Sequence, residues 1–400
     1  MNVIAQDEPP PLRMQFSGEE RALFHILLRG GLLQIPTFGF YRFWLTTDVR
    51  RHIWSHTEIG EDAFEYVGRA RDLLMGFLIA TAVLVPIYVV YTLLALEAER
   101  IVLFGSLALL SLMYGLAYFA LYRARHYRAS RTAFRGVRLW MSGSGWAYVG
   151  RALFWDVLTL LTIGFAYPWR AAALARYKMR HTHYGTLDGA FVATGWTFFK
   201  RAAWVWVGFL TVFFASAFMA DQASVTWLRI AGALLALTAS LLLPILRAIE
   251  LRWWLNGLRL GPISAHSDLR IGRVFWCYAR TTLWTVAIAS LVSVGIGLTV
   301  LIARNVMVAL GATPGDVPGL IQIPVATVGI ATLAAIYLGL LLAIDIAYRL
   351  FLDRGLWAAC VESVTLSNLG ALQAVEASGG ASPSGFGEGL LDGLDVSGGF

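Results

Sequence analysis

Few ionisable side chains lie inside the apolar stretches of this chain, and these few are the first candidates for chemistry. Asp156 lies within the segment RALFWDVLTLL. If that segment enters a membrane, the carboxylate is costly to bury, and such a residue points to cation binding or proton transfer. Arg151 lies five residues earlier, which equally fits a position of Asp156 near the membrane interface. Both interpretations stay open.

Two further pairs have the spacing that brings side chains together on one helix face. His25 and Arg29 are four residues apart, and Asp345 and Arg349 are four residues apart. Side chains at i and i+4 are neighbours on a helix. The first pair can meet Asp156 as an ion pair or as part of a transport site. The second pair is better explained as a local salt bridge.

Histidines with metal-ligand spacing are present, but the rest of a metal motif is missing. His52 and His56 in RHIWSH share the i, i+4 spacing of a zinc-binding helix, without the glutamate that follows the first histidine in that motif. His181 and His183 are an equally weak signal. We predict no metal, no cofactor and, with no nucleophile elbow, phosphate-binding glycine loop or Cys-x-x-Cys pair, no enzyme.

The composition places these residues in a membrane protein. The chain is 58% hydrophobic and only 14% charged, whereas soluble domains have about 25% charged residues. Its mean hydropathy is +0.64. The 15 Trp and 15 Tyr suit the membrane–water interface. Two cysteines exclude a disulfide framework, and the acidic, proline-rich start does not resemble a cleavable signal peptide.

Six stretches are long and apolar enough to cross a bilayer, which takes about 20 residues. Short links at 97–100, 221–229 and 304–323 join them into three predicted helical hairpins. The six stretches are Leu73–Leu96, Ile101–Leu121, Ala203–Ala220, Ile230–Leu246, Thr281–Ala303 and Pro324–Ala347.

The distribution of basic residues predicts the orientation. Of the 32 Lys and Arg residues, only Arg100, Arg229 and Arg304 lie at the hairpin tips, which leaves 29 elsewhere. Cytoplasmic loops are rich in Lys and Arg. We therefore predict that the tips face outward and that both termini are cytoplasmic. The net charge of +7 then favours contact with anionic lipid headgroups on the cytoplasmic face and does not call for a nucleic-acid partner.

One octapeptide pattern, Thr-x-Gly-Phe-x-x-x-Trp, occurs twice. It reads TFGFYRFW at 37–44 and TIGFAYPW at 162–169. Glycine and proline interrupt helices, so we expect Gly39, Gly164 and Pro168 to act as hinges that allow a sharp turn or a close helix approach. Its aromatic residues are expected at headgroup level, namely Trp44, Tyr167 and Trp169.

The apolar stretches that contain the octapeptides, Ala22–Leu45 and Ala152–Trp169, are predicted to be re-entrant or interfacial. If the second stretch crossed the membrane once, basic residues such as Lys178 and Lys200 would lie outside, against the charge asymmetry. An even number of additional spans is the less favoured alternative.

The octapeptide belongs to a longer unit: a basic stretch follows, then a polar turn with glycine, an aromatic residue and a hairpin. Fainter copies lie at 122–145 and 250–272. A partial duplication can frame a central site or serve packing alone. The predicted divisions are a cytoplasmic tail at 1–20, membrane repeats at 21–145 and 146–280, a helical hairpin with a cytoplasmic helix at 281–376, and a flexible Gly-rich acidic tail at 377–400.

Several of these stretches resemble the YjgN family of bacterial inner-membrane proteins, whose function is not established. The resemblance rests on TIGFAYPW (162–169) with the basic helix after it, on TLDGAFVATG (186–195), and on the Gly- and Asp-rich end GEGLLDGLDVSGGF (387–400). It covers most of the chain. The first octapeptide differs from the family pattern by Phe43 in place of proline. The resemblance implies the bacterial inner membrane and a multi-pass topology, and it implies no reaction.

Together these patterns predict an all-α polytopic membrane protein with six spans and two re-entrant segments. Permease-like movement of a small solute or lipid is the leading function, and it calls for a polar cavity lined by Asp156, His25 and Arg29. The alternative is a non-transporting scaffold that recruits partners at its basic cytoplasmic face, which calls for a fully packed bundle. A membrane enzyme ranks third.

Overall fold

Pairs of helices alternate with short β-strands along the whole chain. The structure is a computed structural model, and it describes residues 10–97, 99–221, 225–309, 319–378 and 385–393. Much of the predicted link at 304–323 and parts of the tail at 377–400 lie outside these residues.

Twelve α-helices are formed in the described residues. A π-helical turn at Tyr348–Asp353 continues α10 into α11, and a short 3₁₀ helix, Leu369–Ala374, follows the last strand. The helices are α1 Glu20–Gln34, α2 Arg42–Ser55, α3 Ala70–Glu97, α4 Glu99–Ser130, α5 Gly145–Leu161, α6 Tyr167–Arg180, α7 Gly195–Asp221, α8 Val225–Gly257, α9 Ile271–Ala309, α10 Gly319–Ala347, α11 Arg354–Glu362 and α12 Phe386–Gly393.

Ten strands form a closed barrel in which each strand pairs antiparallel with its neighbours along the chain, and the first strand closes on the last. The strands are β1 Leu12–Phe16, β2 Thr57–Ile59, β3 Asp62–Tyr66, β4 Thr132–Phe134, β5 Val137–Met141, β6 Thr182–Tyr184, β7 Leu187–Phe191, β8 Leu258–Leu260, β9 Ile263–Ser267 and β10 Val364–Ser367.

The barrel corrects the all-α prediction. The stretches interpreted as polar turns with glycine are β-hairpins, each with a strand of three residues, a two-residue turn and a strand of five residues. Strands this short give too few positions for the alternating pattern that identifies a strand. Because at least one long apolar helix adjoins each hairpin, helical periodicity dominates the sequence around it.

Four tight turns join the hairpin strands. Gly60, Arg135, Gly185 and Gly261 occupy the first turn position with φ of 68°, 48°, 52° and 55°, and Gly136 also has a positive φ. Two-residue hairpin turns need this left-handed backbone because it matches the twist of the strands. The glycine of each polar turn is therefore a hairpin residue.

Strand direction sets where the helices leave the barrel. Adjacent strands run in opposite directions, and two-residue turns and helix pairs alternate as their connections. All four tight turns therefore lie at one end of the barrel. All five helix pairs, from α1–α2 to α9 with α10 and α11, begin and end at the other.

Six helices of the described residues are long and apolar enough to cross a membrane, the number that the sequence predicts. The sixth candidate covers Ala334–Glu362, which begins and ends later than the predicted stretch Pro324–Ala347. Partners within the pairs α3–α4, α7–α8 and α9–α10 contact each other. At most 22% of the residues in any of the six apolar windows are buried inside the protein, and none are in the window of α9. So much exposed apolar surface is typical of a face that contacts lipid.

Part of the C-terminal tail is folded. Helix α12 packs against α3 and α4, where Leu390 and Leu391 are buried. Glu388 forms ion pairs with Arg50 at 2.9 Å and with Arg128 at 3.2 Å. Burial opposes the charge of the Arg50 guanidinium, but Glu388 and the Tyr66 hydroxyl together outweigh burial and raise the pKa of Arg50. This tail helix is therefore bound to the underlying arginines.

Candidate functional site

The first octapeptide forms a tight reversal between α1 and α2. The Thr37 hydroxyl donates to the Leu33 carbonyl oxygen at 2.7 Å and accepts from the Tyr41 backbone N–H at 3.1 Å. Phe38 and Gly39 then adopt left-handed backbone conformations, with φ of 51° and 84°. One threonine thus caps the end of α1 and holds the start of α2.

The second octapeptide repeats this geometry between α5 and α6. The Thr162 hydroxyl donates to the Leu158 carbonyl oxygen at 2.8 Å and accepts from the Ala166 backbone N–H at 3.0 Å. Ile163 and Gly164 have φ of 50° and 86°. Each residue in this reversal lies 125 positions after its counterpart in the first, so the same sequence pattern forms the same turn twice.

Glycine is required at these two positions because of the backbone conformation, not because a side chain would lack room. A Cβ added at Gly39 would have no atom within 4 Å, and one at Gly164 would meet only Trp206 Nε1 at 3.9 Å. Positive φ is what the position requires. The tips are apolar and exposed, with Phe38 92% and Ile163 69% accessible.

The other residues singled out around the octapeptides surround these turns. Trp44 is 37% exposed on α2. The Tyr167 hydroxyl donates to Glu250 at 2.9 Å. Pro168 is buried in the first turn of α6, where proline fits a helix start, and Trp169 packs beside aromatic side chains of α7.

Asp156 is the centre of a charged cluster within the second reversal. Its carboxylate accepts hydrogen bonds from Arg170 Nε and from the Tyr114 hydroxyl, the latter at 2.9 Å. Arg170 also donates to the Tyr118 hydroxyl. The side chains of Asp156 and Arg170 are 18% and 20% exposed. Helices α4, α5 and α6 each contribute to this cluster.

The first reversal has no such cluster, although its backbone is the same. At an offset of 125 residues, Gly31 stands in place of Asp156 and Leu45 in place of Arg170. Leu45 is 2% exposed. A Cβ at Gly31 would lie 2.1 Å from Leu342 Cδ1, so this region is closely packed by apolar atoms. The reversal therefore forms without an ion pair.

An open cleft of about 860 Å³ lies beside the cluster, between α4, α5 and α6. Tyr114, Asp156 and Arg170 lie on its wall, and the tip residues Ile163 and Gly164 also line it. Its lining combines polar Ser111, Tyr114, Asp156, Thr159, Tyr167 and Arg170 with apolar Leu153, Val157, Leu160, Ile163 and Gly164.

The other charged candidates lie apart from this cleft. His25 and Arg29 are exposed on α1 and are not among the described partners of Asp156. Both carboxylate oxygens of Asp345 accept from Arg349 Nε at 2.9 Å, a salt bridge within one helix. The structure thus joins Asp156 to Arg170, a residue that the sequence did not single out.

The histidines form local contacts. The rings of His52 and His56 lie 4.3 Å apart, and burial, followed by the charge of His56, lowers the pKa of His52. His183 contacts Asp188 at 2.7 Å. Within the described residues, no group of three or more His, Cys, Asp or Glu side chains is arranged to hold a metal ion.

Comparison with known proteins gives a family but no activity. No curated protein and no solved structure matches the chain. The profile of a family described as "Bacterial protein of unknown function (DUF898)" matches residues 11–393. This family is the YjgN type, and with the six apolar helices it fits an integral, multi-pass membrane protein. The chain belongs to the DUF898 family of bacterial proteins.

Proposed function

We propose that this protein moves a phospholipid or a similar small amphipathic solute across the bacterial inner membrane, with the cleft at Asp156 and Arg170 as the headgroup path. The observation that supports this proposal is the ion pair between Asp156 and Arg170 in the wall of an open cleft between helices, whose lining has a polar part and an apolar part. Ionisable groups in such places mark substrate or ion pathways.

The proposed orientation follows from the barrel and from the basic residues. With the barrel on the cytoplasmic side, every helix pair leaves that side and returns to it, and 29 of the 32 Lys and Arg residues lie away from the predicted outer tips. The short pairs α1–α2 and α5–α6 are then re-entrant, with Phe38 and Ile163 in lipid. The repeated hairpins and reversals support an internal duplication.

The chemistry of the cleft favours a lipid with both charges in its headgroup. The Asp156 carboxylate suits an ammonium group, and the Arg170 guanidinium suits a phosphate, which it binds in a forked geometry. Leu160 and Ile163, 79% and 69% exposed, form an apolar lip suited to acyl chains. A water-soluble solute has no apolar chain that would contact this lip.

Comparison of the two reversals separates function from folding. The first reversal folds with Gly31 and Leu45 where the second has Asp156 and Arg170. Burying an ion pair often contributes little to stability. Since the turn does not need the pair, we attribute the pair to substrate binding.

The test is lipid movement in reconstituted vesicles. Protein is incorporated into vesicles with a trace of phosphatidylethanolamine that carries a fluorescent label on an acyl chain, and an impermeant quencher reports the outer leaflet over time. Wild type should move lipid faster than empty vesicles. Asp156→Asn and Arg170→Gln should each slow movement at least about tenfold, which corresponds to about 1.4 kcal/mol.

Two controls complete this experiment. Asp345→Asn breaks the ion pair between α10 and the π-helical turn after it, and this variant should move lipid at the wild-type rate. The exchange Asp156→Arg with Arg170→Asp keeps a salt bridge and should fold yet move lipid slowly. Lipid movement at the wild-type rate in the exchanged protein would mean that the ion pair has a structural role and does not bind the substrate. If wild type moves no lipid, the non-transporting scaffold becomes the better explanation.

A further inference from the structure

The inside of the β-barrel contains a second cavity, separate from the cleft. Inward-facing side chains from nine of the ten strands line it, and its volume is about 330 Å³. Representative apolar residues are Phe64, Leu139, Ile263 and Leu366. Leu369 and Leu372 of the 3₁₀ helix after β10 also line it. Because β10 runs away from the helices, this short helix lies at the end that carries the tight turns.

Arg125 of α4 lines the same cavity from the helix end of the barrel. Its Nε is inaccessible and has no hydrogen-bond partner among the residues that the structure describes. The described contact of its guanidinium is to Met179 Sδ at 3.6 Å, a weak acceptor. Arg125 is partly buried, and a guanidinium withdrawn from water without an anionic partner is costly, because its charge loses hydration without compensation.

The charges around Arg125 have the same sign. Arg128 and Lys178 each interact unfavourably with it. Glu388 is engaged by Arg50 and Arg128. The cavity floor therefore combines a positive potential with an unfilled donor. The walls are mainly apolar, and the second arginine in the lining, Arg259, already donates to the carbonyl oxygens of Leu258 and Ala265.

We infer that the barrel cavity binds a medium-chain amphipathic anion, with its carboxylate at Arg125 and its chain between the apolar walls. The volume of 330 Å³ is about eleven times the roughly 30 Å³ that one water molecule occupies in the liquid, which suits a ligand of about ten non-hydrogen atoms. An eight-carbon fatty acid has this size, whereas a diacyl phospholipid is far too large. This inference does not depend on the proposed lipid movement.

The test is octanoate binding to the purified protein in an uncharged detergent, measured by calorimetry and native mass spectrometry. One octanoate should bind per chain. Octanamide has the chain without the charge, and acetate has the charge without the chain, so both should bind at least about tenfold more weakly. Hexadecanoate should also bind weakly, because its chain exceeds the cavity.

Three variants locate the site. Arg125→Met should weaken octanoate binding at least about tenfold, whereas Arg138→Met, which removes an exposed arginine from the outer face of β5, should leave it unchanged. Ala265→Phe fills the cavity and should abolish binding with Arg125 intact, which keeps the test open if Arg125→Met does not fold. The inference is wrong if wild type binds no octanoate or if Ala265→Phe binds it as wild type does.

Discussion

Lys178, on the last turns of α6, is a residue whose protonation the fold changes. Burial is the main cause that lowers the pKa of Lys178 from 10.5 to about 7. The positive charges of Arg125, Arg170 and Arg128 lower it further, and Glu250 opposes them. The folded state therefore binds its proton less tightly than the unfolded state does. Between pH 7 and pH 10.5 the unfolded state holds more protons, so stability should rise with pH across this window.

Replacing this lysine should remove that dependence. Lys178→Met should raise the unfolding temperature at pH 7. The free energy of unfolding should increase by up to a few kcal/mol, since one pKa unit corresponds to about 1.4 kcal/mol. The variant should also show a smaller rise of stability with pH between pH 7 and pH 10. The measurement is thermal unfolding in detergent, with the exposed Lys200→Met as control. Equal slopes in wild type and Lys178→Met would contradict the assigned pKa.

The two octapeptide glycines should be sensitive to alanine. Gly39→Ala and Gly164→Ala put a Cβ on a left-handed backbone, which costs about 1–2 kcal/mol. Gly150→Ala, in the middle of α5 with open space around it, should instead stabilise by about 0.5–1 kcal/mol. Thermal unfolding of the three variants is the measurement. If Gly164→Ala is as stable as Gly150→Ala, the positive φ is not what requires glycine.

At the scale of elements, the long apolar helices could be predicted, because each consists of many residues with one property. The break in each octapeptide stretch could also be predicted from its glycine. The partner of Asp156 could not: Tyr114 lies 42 residues earlier on another helix, and Arg170 is one of several arginines after the octapeptide. Such a contact depends on how helices pack, which single-sequence patterns do not report.

The tail helix is another element whose contacts the sequence pattern does not predict. The Gly-rich, acidic composition of 377–400 predicts a flexible segment, yet Glu388 contacts Arg50 and Arg128 with all three side chains at most 16% exposed. Glu388→Gln leaves both arginines without this carboxylate. Loss of one partner of a buried ion pair costs about 3–5 kcal/mol.

Thermal unfolding and limited proteolysis of Glu388→Gln should thus show a less stable protein with a cleavable C-terminus. The matched control is Glu376→Gln, an exposed acid nearer the barrel. An unchanged unfolding temperature in Glu388→Gln would mean that the tail helix does not stabilise the protein.

At the scale of the whole molecule, the barrel joins all five helix pairs. Its closure pairs Leu12 with Leu366, residues at opposite ends of the chain. No local pattern predicts such a contact, since strand pairing depends on the complete set of neighbours. Once the barrel is closed, however, the path of every helix pair follows from strand direction alone.

We propose that the barrel lies on the cytoplasmic side and that α5–α6 enters the membrane and returns. The direct measurement is labelling with a membrane-impermeant thiol reagent, in a background without Cys277 and Cys360. Ser224→Cys should react in intact cells, Thr186→Cys only in inside-out vesicles, and Ile163→Cys in neither. Reaction of Thr186→Cys or Ile163→Cys in intact cells would contradict the account, because the barrel or the α5–α6 tip would then face the outside.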